Sequence, residues 1–167
     1  MEVRLGRRED VEAVMALVRR VVPQMRALGN FQWDDHYPNA AAFECDVDQG
    51  WLWIAEVQGQ VAGAAAITTE QEPEYAEVGW DLDQEAVVVH RLLVDPAFRG
   101  QGLAAALLRQ AEEVARNWGI TVLRVDTNRE NEATLRLFPS LGYAFAGEIG
   151  LGFRPGLRFN CYEKRLS

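Results

Sequence analysis

His90-Arg91-Leu92-Leu93-Val94-Asp95-Pro96-Ala97-Phe98-Arg99-Gly100-Gln101-Gly102-Leu103-Ala104-Ala105 is the stretch on which the reading of this chain turns. It continues Val87-Val88-Val89, so Ala86 to Val94 is predicted as a strand. Apolarity with little alternation is the mark of a strand covered on both faces, at the centre of a sheet. His90 and Arg91 are its two polar breaks, and Asp95-Pro96 ends it. Gly102 then opens a predicted helix through about Trp118, with Leu103, Leu107, Val114 and Trp118 expected among its buried positions and Gly119 as its stop. The first turn of a helix carries N–H groups without internal partners at the positive end of the macrodipole, which makes an anion site. Gly100, Gly102 and Ala104 let a bulky diphosphate approach the backbone, and Arg99 adds a positive charge beside it.

Outward from this core, the order of elements is that of an α+β chain with strands first and last. Val3 to Leu5 is a predicted opening strand. Val11, Val14, Met15, Val18 and Val22 form one apolar face of a helix over Arg8 to Val22, which Pro23 kinks or ends; a second short helix is expected from Gln24 to Leu28. Phe31 to Pro38 is an aromatic-rich loop, and Asn39 an N-cap for a helix to about Val47. Trp51–Val57 and Val61–Thr68 flank Gln58-Gly59-Gln60 as a hairpin. The small run Gly63-Ala64-Ala65-Ala66 leaves space for another part of the chain to lie close. Glu70 to Tyr75 reads as loop, Thr121 to Asp126 as strand, and Asn131 to Leu141 as a short helix with Pro139 inside it. Tyr143–Ile149 and Leu157–Glu163 read as two final antiparallel strands.

The length, 167 residues, suits a single domain spanning 1–167. Net charge is -8 with one lysine, Lys164, which argues against nucleic-acid binding, since phosphate contacts need clustered Lys and Arg. No stretch approaches a membrane span, and Met1 to Asp10 has no signal-peptide core, so a cytoplasmic location is expected. Cys45 and Cys161 stand in no metal-ligand spacing; they form either one disulfide or two buried thiols, the second being expected, and no metal is expected. A homodimer is the default oligomer, two-fold dimers being the commonest.

Two phosphate-site patterns compete for the central stretch. Gly100-Gln101-Gly102-Leu103-Ala104-Ala105 fits G-x-G-x-x-A, with Asp126 ending the next strand where a dinucleotide fold holds its ribose acid. Against this, Asp95 to Arg99 intervenes between strand and first glycine, a hairpin precedes, and too little chain follows for a doubly wound sheet. A Walker loop is excluded because no Gly-Lys-Ser/Thr occurs. The other pattern is R/Q-x-x-G-x-G/A, met by Arg99-Gly100-Gln101-Gly102-Leu103-Ala104. That hexapeptide resembles the pyrophosphate signature of the GNAT family of N-acetyltransferases. Asn131 to Tyr143 resembles the family's downstream motif, and Cys161-Tyr162-Glu163-Lys164 its common ending. The two motifs occur in the family's order, one helix and one strand apart.

The resemblance implies a GNAT acyl-CoA N-acyltransferase fold: a twisted, mostly antiparallel central sheet with two splayed parallel strands, Ala86–Val94 and Thr121–Asp126, and flanking helices. It implies acetyl-CoA in the splay, with Leu92, Leu93 and Val94 along the pantetheine arm, the N–H groups of Arg99, Gly100, Gln101, Gly102, Leu103 and Ala104 on the pyrophosphate, and Asn131 and Phe138 beside the cofactor. It implies direct acyl transfer to an amine, with the Leu92 N–H polarising the thioester carbonyl. A base must remove a proton from the amine, and Glu77, Asp81 and His90 are candidates. Phe138 stands where many members carry a tyrosine acid; Tyr143 or Tyr162 takes that role, or the thiolate leaves unassisted. The acceptor site is expected from Phe31 to Tyr37 and Glu70 to Trp80, where Trp33, Tyr37, Tyr75 and Trp80 meet Asp34, Asp35, Glu72, Glu74 and Glu77. A small-molecule amine is the expected acceptor. Two alternatives stand beside this: a non-catalytic acyl-CoA-binding or sensing domain, supported by Phe138, and a nucleotide-binding oxidoreductase domain.

Overall fold

The splay sits in a sheet of seven strands ordered β1-β2-β3-β4-β5-β7-β6. The structure, a computed structural model, describes residues 1–167. The strands are β1 (Glu2–Leu5), β2 (Leu52–Val57), β3 (Gln60–Thr68), β4 (Val87–Val94), β5 (Val122–Asn128), β6 (Ala144–Leu151) and β7 (Arg154–Arg165). The helices are α1 (Val11–Ala27), α2 (Ala40–Asp48), α3 (Leu103–Trp118) and α4 (Glu132–Ser140). Every neighbouring pair is antiparallel except β4 and β5, which run parallel.

Three apolar clusters cover the sheet. Leu103, Leu107, Leu108, Ala111 and Val114 of α3 pack with Phe138 of α4 on one face. Val14, Leu17, Val18 and Val21 of α1 and Phe43 of α2 pack on Leu52, Ile54, Ala64 and Leu93 on the other. The small residues of β3 make both approaches feasible: Ala62 and Ala65 face α3, Ala64 faces α1, and a Cβ at Gly63 would lie 3.1 Å from the Leu93 carbonyl oxygen. Beyond α1, the second face is covered by a 3₁₀ segment, Pro73–Val78, whose Tyr75 packs with Val88, Ile149 and Phe159.

Several expectations need correction. Pro23 neither ends nor divides the first helix, which runs unbroken to Ala27. Pro23 and Arg19, whose carbonyl loses its N–H partner, are both exposed, so water can satisfy the gap. That helix begins at Val11, after a 3₁₀ turn at Arg8–Asp10, and its buried face includes Leu17 and Val21 where Met15 was expected. Trp118 is 45% exposed; Ile120, just past Gly119, takes the core position in its place. Glu70 to Tyr75 is not all loop, since the 3₁₀ segment starts at Pro73. Strand β7 begins three residues earlier than Leu157, at Arg154. Both thiols are free, but only Cys161 is buried; Cys45 is exposed on α2.

Candidate active site

The splay has a local cause. Ala64 pairs with Leu93 and Ala66 with His90, so Arg91 and Leu92 together face one residue, Ala65. This is a β-bulge, with Arg91 at φ 51. A left-handed φ at a residue with a Cβ costs about 1–2 kcal/mol. The Arg91 side chain offsets this by donating to the buried carboxylate of Asp46 at 2.8 and 2.6 Å and to the Tyr37 hydroxyl at 3.1 Å. Parallel pairing of β4 with β5 is confined to Val87–Leu123 and Val88–Arg124, before the bulge. Past it the strands part around a cleft of about 750 Å³, lined by Val89 to Val94 on one side and Asp126 and Thr127 on the other.

Strand alternation decides which backbone groups face this cleft. The Asp95 N–H donates to the Ala62 carbonyl at 2.7 Å, and the Leu93 carbonyl points at Gly63. Both therefore face β3, so the N–H and C=O groups of Leu92 and Val94 face the other way, into the opening. At the far end, α3 starts after Gly100 (φ 80) and Gly102 (φ 76), and a Cβ at either would meet only open space. No side chain caps the helix, and the N–H groups of Gly102, Leu103, Ala104 and Ala105 have no partner in the chain. Arg99 is exposed at the rim. Two of the expected donors are already used: the Arg99 N–H bonds Pro96 at 3.2 Å and the Gln101 N–H bonds Phe98 at 3.4 Å. Gln101 does not line the cleft, whereas Gly100 and Ala104 do. Asn131 and Phe138 line it too; the Asn131 side-chain oxygen accepts the Thr134 N–H at 3.3 Å, and Phe138 is buried against Tyr143 and Tyr162.

The other end of the cleft gathers Trp33, Tyr37, Glu72, His90, Asp126, Phe153 and Arg154. The His90 Nε2 lies 3.0 Å from the Glu70 carbonyl oxygen, so a proton on Nε2 satisfies that contact and leaves Nδ1 as an acceptor. Burial raises the Glu72 carboxyl above its ordinary range; His90 opposes this, and Asp126, Glu74 and Glu70 add to it. Asp126 is likewise raised by burial, against the pull of the Tyr75 hydroxyl, which donates to it at 2.5 Å. The loop bearing Glu72 is fastened by Arg124. That guanidinium, fully buried in β5, pairs with Glu163 at 2.9 Å, donates to Gln71 at 2.6 Å and to the Asp81 carbonyl at 3.0 Å, and lies over the Trp80 ring.

Of the expected bases, only His90 reaches the cleft. Glu77 and Asp81 are exposed and do not line it, because the 3₁₀ segment turns Glu77 outward and Asp81 follows it on the surface. Tyr143 is corrected in the same way: it is buried behind Phe138, its hydroxyl has no partner, and burial raises its pKa, which makes it a poor proton donor. Glu72 and Asp126 are the acids that the sequence does not mark as bases: it presents Glu72 only as one of five acids of the expected acceptor site, and Asp126 only at the spacing of a ribose acid.

The family model described as Acetyltransferase (GNAT) family matches residues 16–143. The chain belongs to the GNAT acetyltransferase family. It is an acetyl-CoA-dependent N-acetyltransferase. It is 26% identical over 163 residues to the uncharacterized N-acetyltransferase YesJ of Bacillus subtilis (strain 168), covering 95% of this chain and 87% of that one. The structure of a GNAT-family acetyltransferase from Streptococcus agalactiae 2603 is 25% identical and superposes with a TM-score of 0.84, over 99% of this chain and 95% of that chain. The fold is shared with yncA from Salmonella typhimurium, solved with its cofactor acetyl-CoA, at 23% identity and a TM-score of 0.72, over 100% of this chain and 94% of that one. The acetyltransferase has no helix long and apolar enough to cross a membrane.

Proposed function

We propose that this acetyltransferase moves the acetyl group of acetyl-CoA directly to a primary amine of a small molecule held at the Glu72 end of the cleft. The observation that carries the reading is the bulge at Arg91, which opens β4 from β5 and turns unpaired backbone donors into the opening. The residues fit the cofactor: Leu92 and Val94 offer strand-like pairing to an extended arm, and Gly102 to Ala105 offer free N–H groups to a diphosphate. Arg99 adds charge at the rim, and Asn131 and Phe138 wall the middle. Acetyl-CoA supplies the acetyl group as an activated thioester.

The chain's own groups then divide the work. The Leu92 N–H is the donor for negative charge developing on the acyl oxygen. An alkyl amine is mostly protonated near neutral pH, so a base must take its proton before attack. Glu72 lines the cleft and its raised pKa makes it a stronger base than an ordinary carboxylate. Asp126 adds negative charge beside it, and His90 lines the same cleft. No side-chain acid stands where the thiolate leaves, since Phe138 occupies that wall; a thiol acidic enough to leave as its anion needs none.

Two measurements on the purified protein test this. Calorimetric titration should give micromolar acetyl-CoA affinity with no NAD(P)H binding. An amine panel should then release CoA thiol in proportion to acetylated product. Tight acetyl-CoA binding with no turnover on any amine would instead support a sensing domain.

A further inference from the structure

We propose that the acceptor amine also carries a carboxylate, and that Arg154 is the residue that reads it. The inference rests on the transfer reading above and names its substrate class. Arg154 opens β7 directly after the turn at Gly152-Phe153 and lines the same cleft as Glu72, His90 and Asp126. Its guanidinium lies 5.4 Å from the Tyr37 ring centroid and 5.9 Å from that of Phe153.

The hydrogen bonds of this guanidinium are incomplete. The Nε donates to the Gln32 carbonyl at 2.7 Å, and Nη1 lies 3.3 Å from Asp34. The other Asp34 oxygen is already occupied by the N–H groups of His36 and Tyr37 at 2.8 and 2.9 Å. Nη2 is buried with no partner at all. A buried donor left unmade costs about 1–3 kcal/mol, more when charged. A planar fork with one arm unclaimed matches a carboxylate, which accepts two parallel N–H bonds. Because Nη2 is buried, Tyr37 or Phe153 must give way for that contact; Phe153 is 49% exposed at the hairpin tip.

The charges at this end are therefore of two kinds. Glu72 and Asp126 suit an ammonium, and Arg154 suits an anion. A diamine would place its second cation against Arg154. A simple alkylamine would leave the Arg154 Nη2 without a partner. An amino-carboxylate, of the amino-acid kind, satisfies both, and both charges line the same cleft of about 750 Å³.

The test compares initial rates with acetyl-CoA across three sets: neutral and acidic amino acids, the corresponding amides and decarboxylated amines, and aliphatic diamines. The expected result is a kcat/KM for a carboxylated amine about 100-fold above its amide, the scale of losing one partner of a buried charged contact. Arg154→Gln should raise KM for the carboxylated amine by a similar factor while changing the amide by less than about 3-fold. Arg154→Lys, which keeps the charge but not the fork, should fall between. Preference for diamines or decarboxylated amines overturns the inference. So does an equal loss on both sets in either variant, which marks Arg154 as a structural tie between the β6–β7 hairpin and Gln32. Acetyl-CoA titration of each protein separates the two levels. Lost binding in the wild type sinks the transferase reading itself. Intact binding with no turnover of any carboxylated amine sinks only this inference.

Discussion

At the α3 end of the cleft the groups turned into the opening are main-chain donors, supplied by one continuous strand, turn and helix. At the Glu72 end they are side chains brought from five separate places: the loop after α1, the loop after β3, strand β4, strand β5 and the β6–β7 hairpin. The first end is fixed by backbone geometry, so few side-chain changes can alter it short of blocking it. The second depends on single atoms, and each one sits on a segment that something else must hold. Under the proposed function, the same difference separates what the two ends are for. A cofactor common to a family can be read by backbone, whereas an acceptor particular to one member needs side chains.

The comparison can be broken by substitution. The largest effect should come from Gly102→Trp, which fills the open space at the helix start and forces a bulky residue to φ 76. Acetyl-CoA binding should fall below detection by calorimetry while the circular dichroism spectrum is kept; retained affinity would mean the backbone donors do not hold the cofactor. Next, Glu72→Gln should lower kcat by about 10²–10³-fold with acetyl-CoA affinity unchanged. The rate should rise with pH as Glu72 ionises, and because its pKa is raised, that limb lies above the ordinary carboxylate range. In Glu72→Gln the limb should vanish, leaving only the ionisation of the amine; an unmoved profile would pass the role to Asp126 or His90.

Asp46→Asn tests the support of the bulge. Leaving Arg91 half-paired beside a buried site should cost about 3 kcal/mol in urea unfolding, a typical loss for one partner of a buried pair. A loss under about 1 kcal/mol would show that the strand holds its bulge unaided. The smallest effect should be Arg99→Ala. The charge is exposed, and its removal should weaken acetyl-CoA binding by about 5-fold at low salt and by less at high salt. A loss as large as that from Gly102→Trp would show that charge, rather than backbone, dominates this end.

The first end was legible in the sequence because it is local. An apolar strand, Asp95-Pro96, Arg99 and the spaced glycines sit within sixteen consecutive residues from His90 to Ala105. The succession of elements along the chain and the N-cap at Asn39 were legible for the same reason. The second end was not. Glu72 and Glu77 are equivalent as letters in an acidic loop; only the 3₁₀ segment, with Tyr75 buried, sends one inward and the other out. One signal was present in Arg124, the lone charge within Val122-Leu123-Arg124-Val125. A buried guanidinium demands polar partners, and Gln71, Gln84 and Asp81 from the loop before β4 supply them. Arg91 was similarly visible as a break in apolarity, but its left-handed φ and its distant partner Asp46 were not. Tyr143 was misplaced because helix α4 puts Phe138 between it and the cleft.

Arg91 also ties the two ends together. Its backbone is the wedge that keeps β4 off β5, and its side chain is a tether to α2 and to the Tyr37 hydroxyl, which walls the Glu72 end. Glycine at this position would rest easily at φ 51 and would keep the wedge, but it would let the tether go slack. The chain instead accepts torsional strain at one residue so that the loop and the strand that line the cleft are fastened to the same bolt.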